Sequence, residues 1–163
     1  MYRPLLLMCA TASLICSLRA DAQKGVGVGW SISAAASGWY LQRVAGTGER
    51  LQVSCSPAAH GHWLYRLEVK SNQTNSDLRG GQPEMLIRRS PEVWRYQLAV
   101  DGPGSVSTSL NKSSFIALLR QLDSLTSDDV VSVPMLRFTI APRNNDQETT
   151  FAEFRKLCRV DLL

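Results

Sequence analysis

The sequence is poor in the groups that most enzyme chemistry draws on: 163 residues hold two histidines and four cysteines. No Gly-x-Ser-x-Gly elbow accompanies its many serines, and no Cys/His cluster at metal-ligand spacing occurs. Basic residues are not clustered. Arg88-Arg89 is the one Arg-Arg doublet and reads as a solvated strand end, so the mild positive excess bears on solubility rather than on nucleic acid. No apolar run is long enough for a bilayer, which takes about 20 continuous apolar residues; the run that begins at Leu5 is broken by Arg19 and Asp21. There is no internal repeat and no dividing linker. With 44% apolar and 20% charged residues, the chain suits one globular domain and is short for two.

What is present begins with a leader. Arg3 supplies a short positive start, Leu5 to Cys16 an apolar stretch, and Ala20-Asp21-Ala22 the small residues that a signal peptidase reads. This pattern predicts cleavage before Gln23, with residues 1–22 as signal peptide and 23–163 as a single exported domain. Cys16 raises a second reading, a lipid anchor, but Ile15 stands directly before it where a small residue is wanted.

The cut removes Arg3, Arg19 and Asp21, leaving 16 basic and 13 acidic residues, a net charge of +3. It also removes Cys9 and Cys16. Cys55 and Cys158 then remain in a compartment that permits disulfides, and a Cys55–Cys158 bridge is expected. Closing a loop of about a hundred residues contributes roughly 4–5 kcal/mol in the chain-entropy model. Two buried thiols or an intermolecular bridge are the alternatives.

Hydrophobic patterning predicts an α+β fold, mainly antiparallel β in a sandwich-like arrangement, with two short helices. Trp39 to Val44 and Arg50 to Cys55 form a hairpin around Ala45-Gly46-Thr47-Gly48. His62 to Val69 alternates, with Trp63, Tyr65, Leu67 and Val69 inward and Arg66 and Glu68 outward. A polar loop over 71–83 precedes a short strand at 84–88. Residues 92–100 alternate as one strand, with Trp94, Tyr96, Leu98 and Val100 inward. A further loop leads out of that strand. Phe115, Leu118, Leu119 and Leu122 then mark one helical face, with Ser113 or Ser114 as N-cap. Strands at 130–133 and 135–140 flank Pro134, 142–146 breaks the chain, and a last helix carries Phe151, Phe154 and Cys158 on its inner side.

Candidate chemistry is thin. His60 and His62 could share a metal in an extended segment, but no third ligand or activating carboxylate stands near; a loop leading into a strand is the plainer reading. Asp128-Asp129 and Asp146-Gln147-Glu148 fall where helix ends and turns want carboxylates. Gly25-Val26-Gly27-Val28-Gly29 lacks the following helix that would make it a phosphate cradle. Asn72-Gln73-Thr74 and Asn111-Lys112-Ser113 match glycosylation sequons that are common by chance. No catalytic residue, metal, cofactor or small-molecule substrate is expected, and the chain reads as a non-enzyme.

The feature that remains is the loop at 102–114, with Pro103 and a row of hydroxyls at Ser105, Ser107, Thr108 and Ser109. Its plain reading is a solvated connection. With the Ala20-Asp21-Ala22 signal, Leu51-Gln52-Val53-Ser54-Cys55, Phe115-Ile116-Ala117-Leu118-Leu119 and the closing Phe151-Ala152-Glu153-Phe154-Arg155-Lys156-Leu157-Cys158, the layout resembles the periplasmic immunity proteins of type VI secretion peptidoglycan amidases. That resemblance implies a periplasmic inhibitor whose partner is a cognate Cys/His amidase effector. It implies a finger formed by Ser105, Ser107, Thr108, Ser109, Leu110 and Asn111 that plugs the amidase cleft, with Ser109, beside Ser107 and Thr108, meeting the catalytic histidine. The alternative function is an exported accessory or envelope protein of a secretion system without inhibitory activity.

Overall fold

The computed structural model describes residues 29–45, 47–72, 81–141 and 147–160. The expected leader and cleavage site, Cys16, the glycine run up to Val28, the segment 73–80 and the expected break at 142–146 lie outside them.

Among the described residues, ten strands form two antiparallel sheets around one core. In the first sheet β1 (Trp30–Ala35), β2 (Gly38–Val44), β3 (Arg50–Pro57) and β4 (Trp63–Lys70) run as a meander. Beyond β4 lies β8 (Ser105–Leu110), and beyond it β7 (Ala99–Gly102), giving the order β1-β2-β3-β4-β8-β7. The second sheet contains β5 (Glu84–Arg89), β6 (Glu92–Gln97), β9 (Val130–Val133) and β10 (Phe138–Ile140), in the order β10-β9-β5-β6. Helices α1 (Lys112–Asp123) and α2 (Gln147–Leu157) complete the fold.

Strict alternation decides which side of the large sheet is dry. Leu41, Val53 and Leu67 stand opposite one another across β2, β3 and β4, and Leu51, Val69 and Val106 do so across β3, β4 and β8; all six are fully buried. Residues directly opposite in antiparallel strands share a face, so these rows make a continuous apolar surface. Met85 and Ile87 of β5, Val131 and Val133 of β9, and Phe138 bring the second sheet into the same core.

The helices pack against the large sheet, α1 on β4 and β8 and α2 on β1 and β2. Phe115, Leu118, Leu119 and Leu122 of α1 are fully buried, and the Phe115 ring stacks on Tyr65 at 4.3 Å. Trp30 meets Phe151 of α2 edge-on at 5.0 Å. Arg155 of α2 pairs with Asp123 of α1 at 2.8 Å. Cys158 follows α2 directly and is bridged to Cys55 of β3, 103 residues away, with 5.7 Å between Cα atoms. A left-handed Arg159 (φ 53) then reverses the chain. Its N–H donates to the Lys156 carbonyl and that of Val160 to the Arg155 carbonyl, the pattern of a Schellman cap, and Val160 is fully buried.

The sequence expectations need five corrections. The strand β1 was not anticipated. The 92–100 segment is two strands in different sheets: Leu98 donates its N–H to the Pro83 carbonyl, the chain crosses there, and Val100 is exposed rather than inward. The expected loop at 102–114 is instead the turn and second strand of the β7–β8 hairpin and the start of α1. Met135 and Leu136 lie in a 3-10 turn, Pro134–Leu136, closed by a left-handed Arg137, so that strand starts only at Phe138. The N-cap of α1 is Asn111, whose Oδ1 accepts the Ser114 N–H at 2.8 Å, not Ser113 or Ser114.

Candidate binding face

The opposite face of the six-stranded sheet carries no helix or strand among the described residues. The register that buries Leu67 and Val53 turns their neighbours outward. Ser105, Ser107 and Ser109 of β8 stand opposite Lys70, Glu68 and Arg66 of β4. These in turn face Arg50, Gln52 and Ser54 of β3, and Tyr40 and Gln42 of β2 lie beyond. Polar alternation on one side of an antiparallel sheet is what a solvated face requires. Here the side chains also enclose a groove of about 550 Å³, whose lining includes Tyr40, Arg50, Ser54, Leu64, Arg66 and Ser109.

Glu68 is the hub of this face. Its carboxylate accepts hydrogen bonds from Gln52 Nε2 (3.4 Å) and Ser105 Oγ (3.5 Å) and pairs with Lys70 Nζ at 3.0 Å. Arg66 Nη2 reaches Asp101 Oδ2 on the neighbouring hairpin at 2.7 Å. Such exposed pairs contribute little to stability, roughly 0–1 kcal/mol each, but they order long side chains across four strands. Leu64 adds an apolar knob that is 63% exposed. The result is a pre-arranged mixture of donors, acceptors and charges of both signs. It has no nucleophile–base pair.

The six residues expected to form a plugging finger are divided by the strand. Ser105, Ser107 and Ser109 project onto the open face, though Ser107 is buried between its neighbours and only Ser109 is exposed. Thr108 stands opposite Leu67 on the other side, beside Pro83, Leu98 and Val100. Leu110 packs against the core, and Asn111 is committed to capping α1. A finger standing clear of the scaffold is therefore not what this segment forms, because β8 is bonded to β4 on one side and β7 on the other.

His60 and His62 sit in the β3–β4 connection. His60 (φ 60) and Gly61 (φ 77) are both left-handed, and the His62 N–H returns to the Ala59 carbonyl, as in a type I′ hairpin turn. Among the described residues, no group of three or more His, Cys, Asp or Glu is placed to hold a metal ion, and no helix is long and apolar enough to cross a membrane.

Residue reasoning missed Tyr40, Arg50, Gln52 and Lys70 as parts of one face. Each occupies the outward phase of a recognisable strand, so the signal was present strand by strand; what was missing was the pairing of β3 with β4, and of β4 with β8. Comparison of the chain with protein-family models, with curated proteins and with solved structures gives no match.

Proposed function

We propose that the mature chain is a periplasmic immunity protein that acts by binding, with no turnover of its own, and covers the active-site cleft of a cognate peptidoglycan amidase. Support comes from the resemblance in the exported leader, the Cys55 strand and the closing α2–Cys158 segment, and from the bridge between those cysteines, which suits an oxidising compartment. The observation that carries the binding mode is the open six-stranded face with its groove.

On this reading a rigid surface, rather than an inserted finger, meets the enzyme. Ser109 is exposed at the end of β8 beside Arg66 and offers a hydroxyl to an imidazole nitrogen. A partner nucleophile meets extended backbone there, held in the ladder with β4 where Ser109 stands opposite Arg66. Leu64 supplies an apolar anchor, and the surrounding charges set orientation and association rate.

The test is muropeptide release by candidate amidases, from genes adjacent to this one, in the presence of the mature protein. Stoichiometric inhibition and co-elution support the reading. An amidase panel that neither binds nor is inhibited overturns it and leaves the accessory or envelope role.

A further inference from the structure

The strand at the free end of the second sheet points to another interaction, independent of the amidase reading. Of the four sheet edges among the described residues, β10 has three residues, β7 is broken by a bulge between Val100 and Gly102, and β1 has its first residue, Trp30, against Phe151 of α2. The fourth, β6, runs six residues in regular register with β5 and has no partner on its other side among the described residues. An unpaired edge of that length is a template for a further strand.

The edge is also furnished. A groove of about 380 Å³ runs between β6 and α1, lined by Val93, Trp94, Arg95 and Tyr96 on the strand and by Ser114, Ala117 and Gln121 on the helix. The three helix positions fall at i, i+3 and i+7, one face of α1. The Tyr96 hydroxyl donates to Gln121 Oε1 at 2.6 Å and ties strand to helix. Val93 is 47% exposed, and Trp94 and Tyr96 are only half-buried. Arg95, the charge that would guard the edge, is drawn back across the sheet by Glu84 at 3.1 Å.

We propose that this groove takes an extended peptide segment of a partner protein, added to β6 as a further strand, apolar at alternate positions and acidic between them. Backbone pairing with β6 gives affinity without sequence, and the strip of Trp94, Tyr96 and Ala117 takes the apolar side chains. Acidic character follows from the exposed cations around the site: Arg120 beside Ala117 on the helix rim, and Arg88 and Arg89 on the adjoining strand, against the single exposed carboxylate of Glu92 on β6.

A synthetic eight-residue peptide of alternating valine and glutamate, titrated into the full-length mature protein and followed by amide chemical shifts, tests this. Saturable shifts confined to 92–97 and 114–121 are expected, with a valine–lysine peptide giving none. Ala117→Glu and Arg120→Glu, both at exposed positions, are expected to weaken binding by about tenfold or more, since each sets a carboxylate against the peptide's own. Lys156→Glu, the same kind of charge reversal on α2, is expected to leave it within about twofold. Absence of binding at millimolar peptide, equal losses in all three variants, shifts on the open sheet face, or self-association through β6 in place of peptide binding would each overturn the proposal.

Discussion

Two residues show how tightly single side chains are held. Gly38 begins β2 where the chain passes against β3, and a Cβ there would run into the Cys55 carbonyl oxygen and the backbone of Ser56. Its backbone needs no left-handed angle; space alone requires glycine. Gly38→Ala is expected to lose about 1–3 kcal/mol, read from the urea midpoint, because the collision is with backbone that cannot turn aside. Tyr96 is the second case. Burial raises its phenol to about 12, and burial raises Tyr65, stacked on Phe115, as well. An unfolded tyrosine titrates near 10, so the folded state holds the proton more tightly. The resulting stability is complete below pH 10 and is lost as pH climbs from about 10 to 12. Unfolding free energy measured between pH 9 and 12 is expected to fall over that window, and Tyr96→Phe is expected to flatten the part of the fall that Tyr96 causes.

At the scale of elements, the helices are joined by a polar clasp. Gln147 opens α2 and is buried; its Nε2 donates to the carbonyls of Leu122 (2.6 Å) and Asp123 (3.2 Å) at the C-terminal end of α1. Gln147→Ala is expected to cost about 1–3 kcal/mol in denaturant unfolding, the penalty of stranding buried acceptors. The same scale explains what could be read in advance. The strands at 50–55 and 62–69 and the α1 face were legible because each carries its own apolar period, and in the structure those residues are the core. The strand β8 was not legible: Ser105 to Ser109 holds only Val106 and Thr108 as strand formers, and its place in the sheet comes from pairing with β4 and β7 rather than from propensity. Continuous alternation likewise hid the crossing at Leu98, since a pattern of period two does not say which sheet a strand joins. The open face was thus half visible, as polar phases of separate strands whose adjacency only tertiary pairing supplies.

For the whole molecule, the Cys55–Cys158 bridge fastens the C-terminal helix to the third strand of the binding sheet. Replacing both cysteines by alanine is expected to lower stability by about 2–5 kcal/mol in a denaturant titration, while far-UV circular dichroism at low denaturant keeps its native shape. On the proposed reading, the staple adds to the stiffness with which the grooved open face would bind at little ordering cost. The central claim concerns that surface, and it has a direct reading: amide chemical-shift mapping of the labelled mature protein titrated with a catalytically inactive form of the cognate amidase. Perturbations centred on Tyr40, Gln52, Ser54, Arg66 and Ser109 are the predicted result. Binding that leaves those residues unmoved and instead shifts the helices or the second sheet would contradict it.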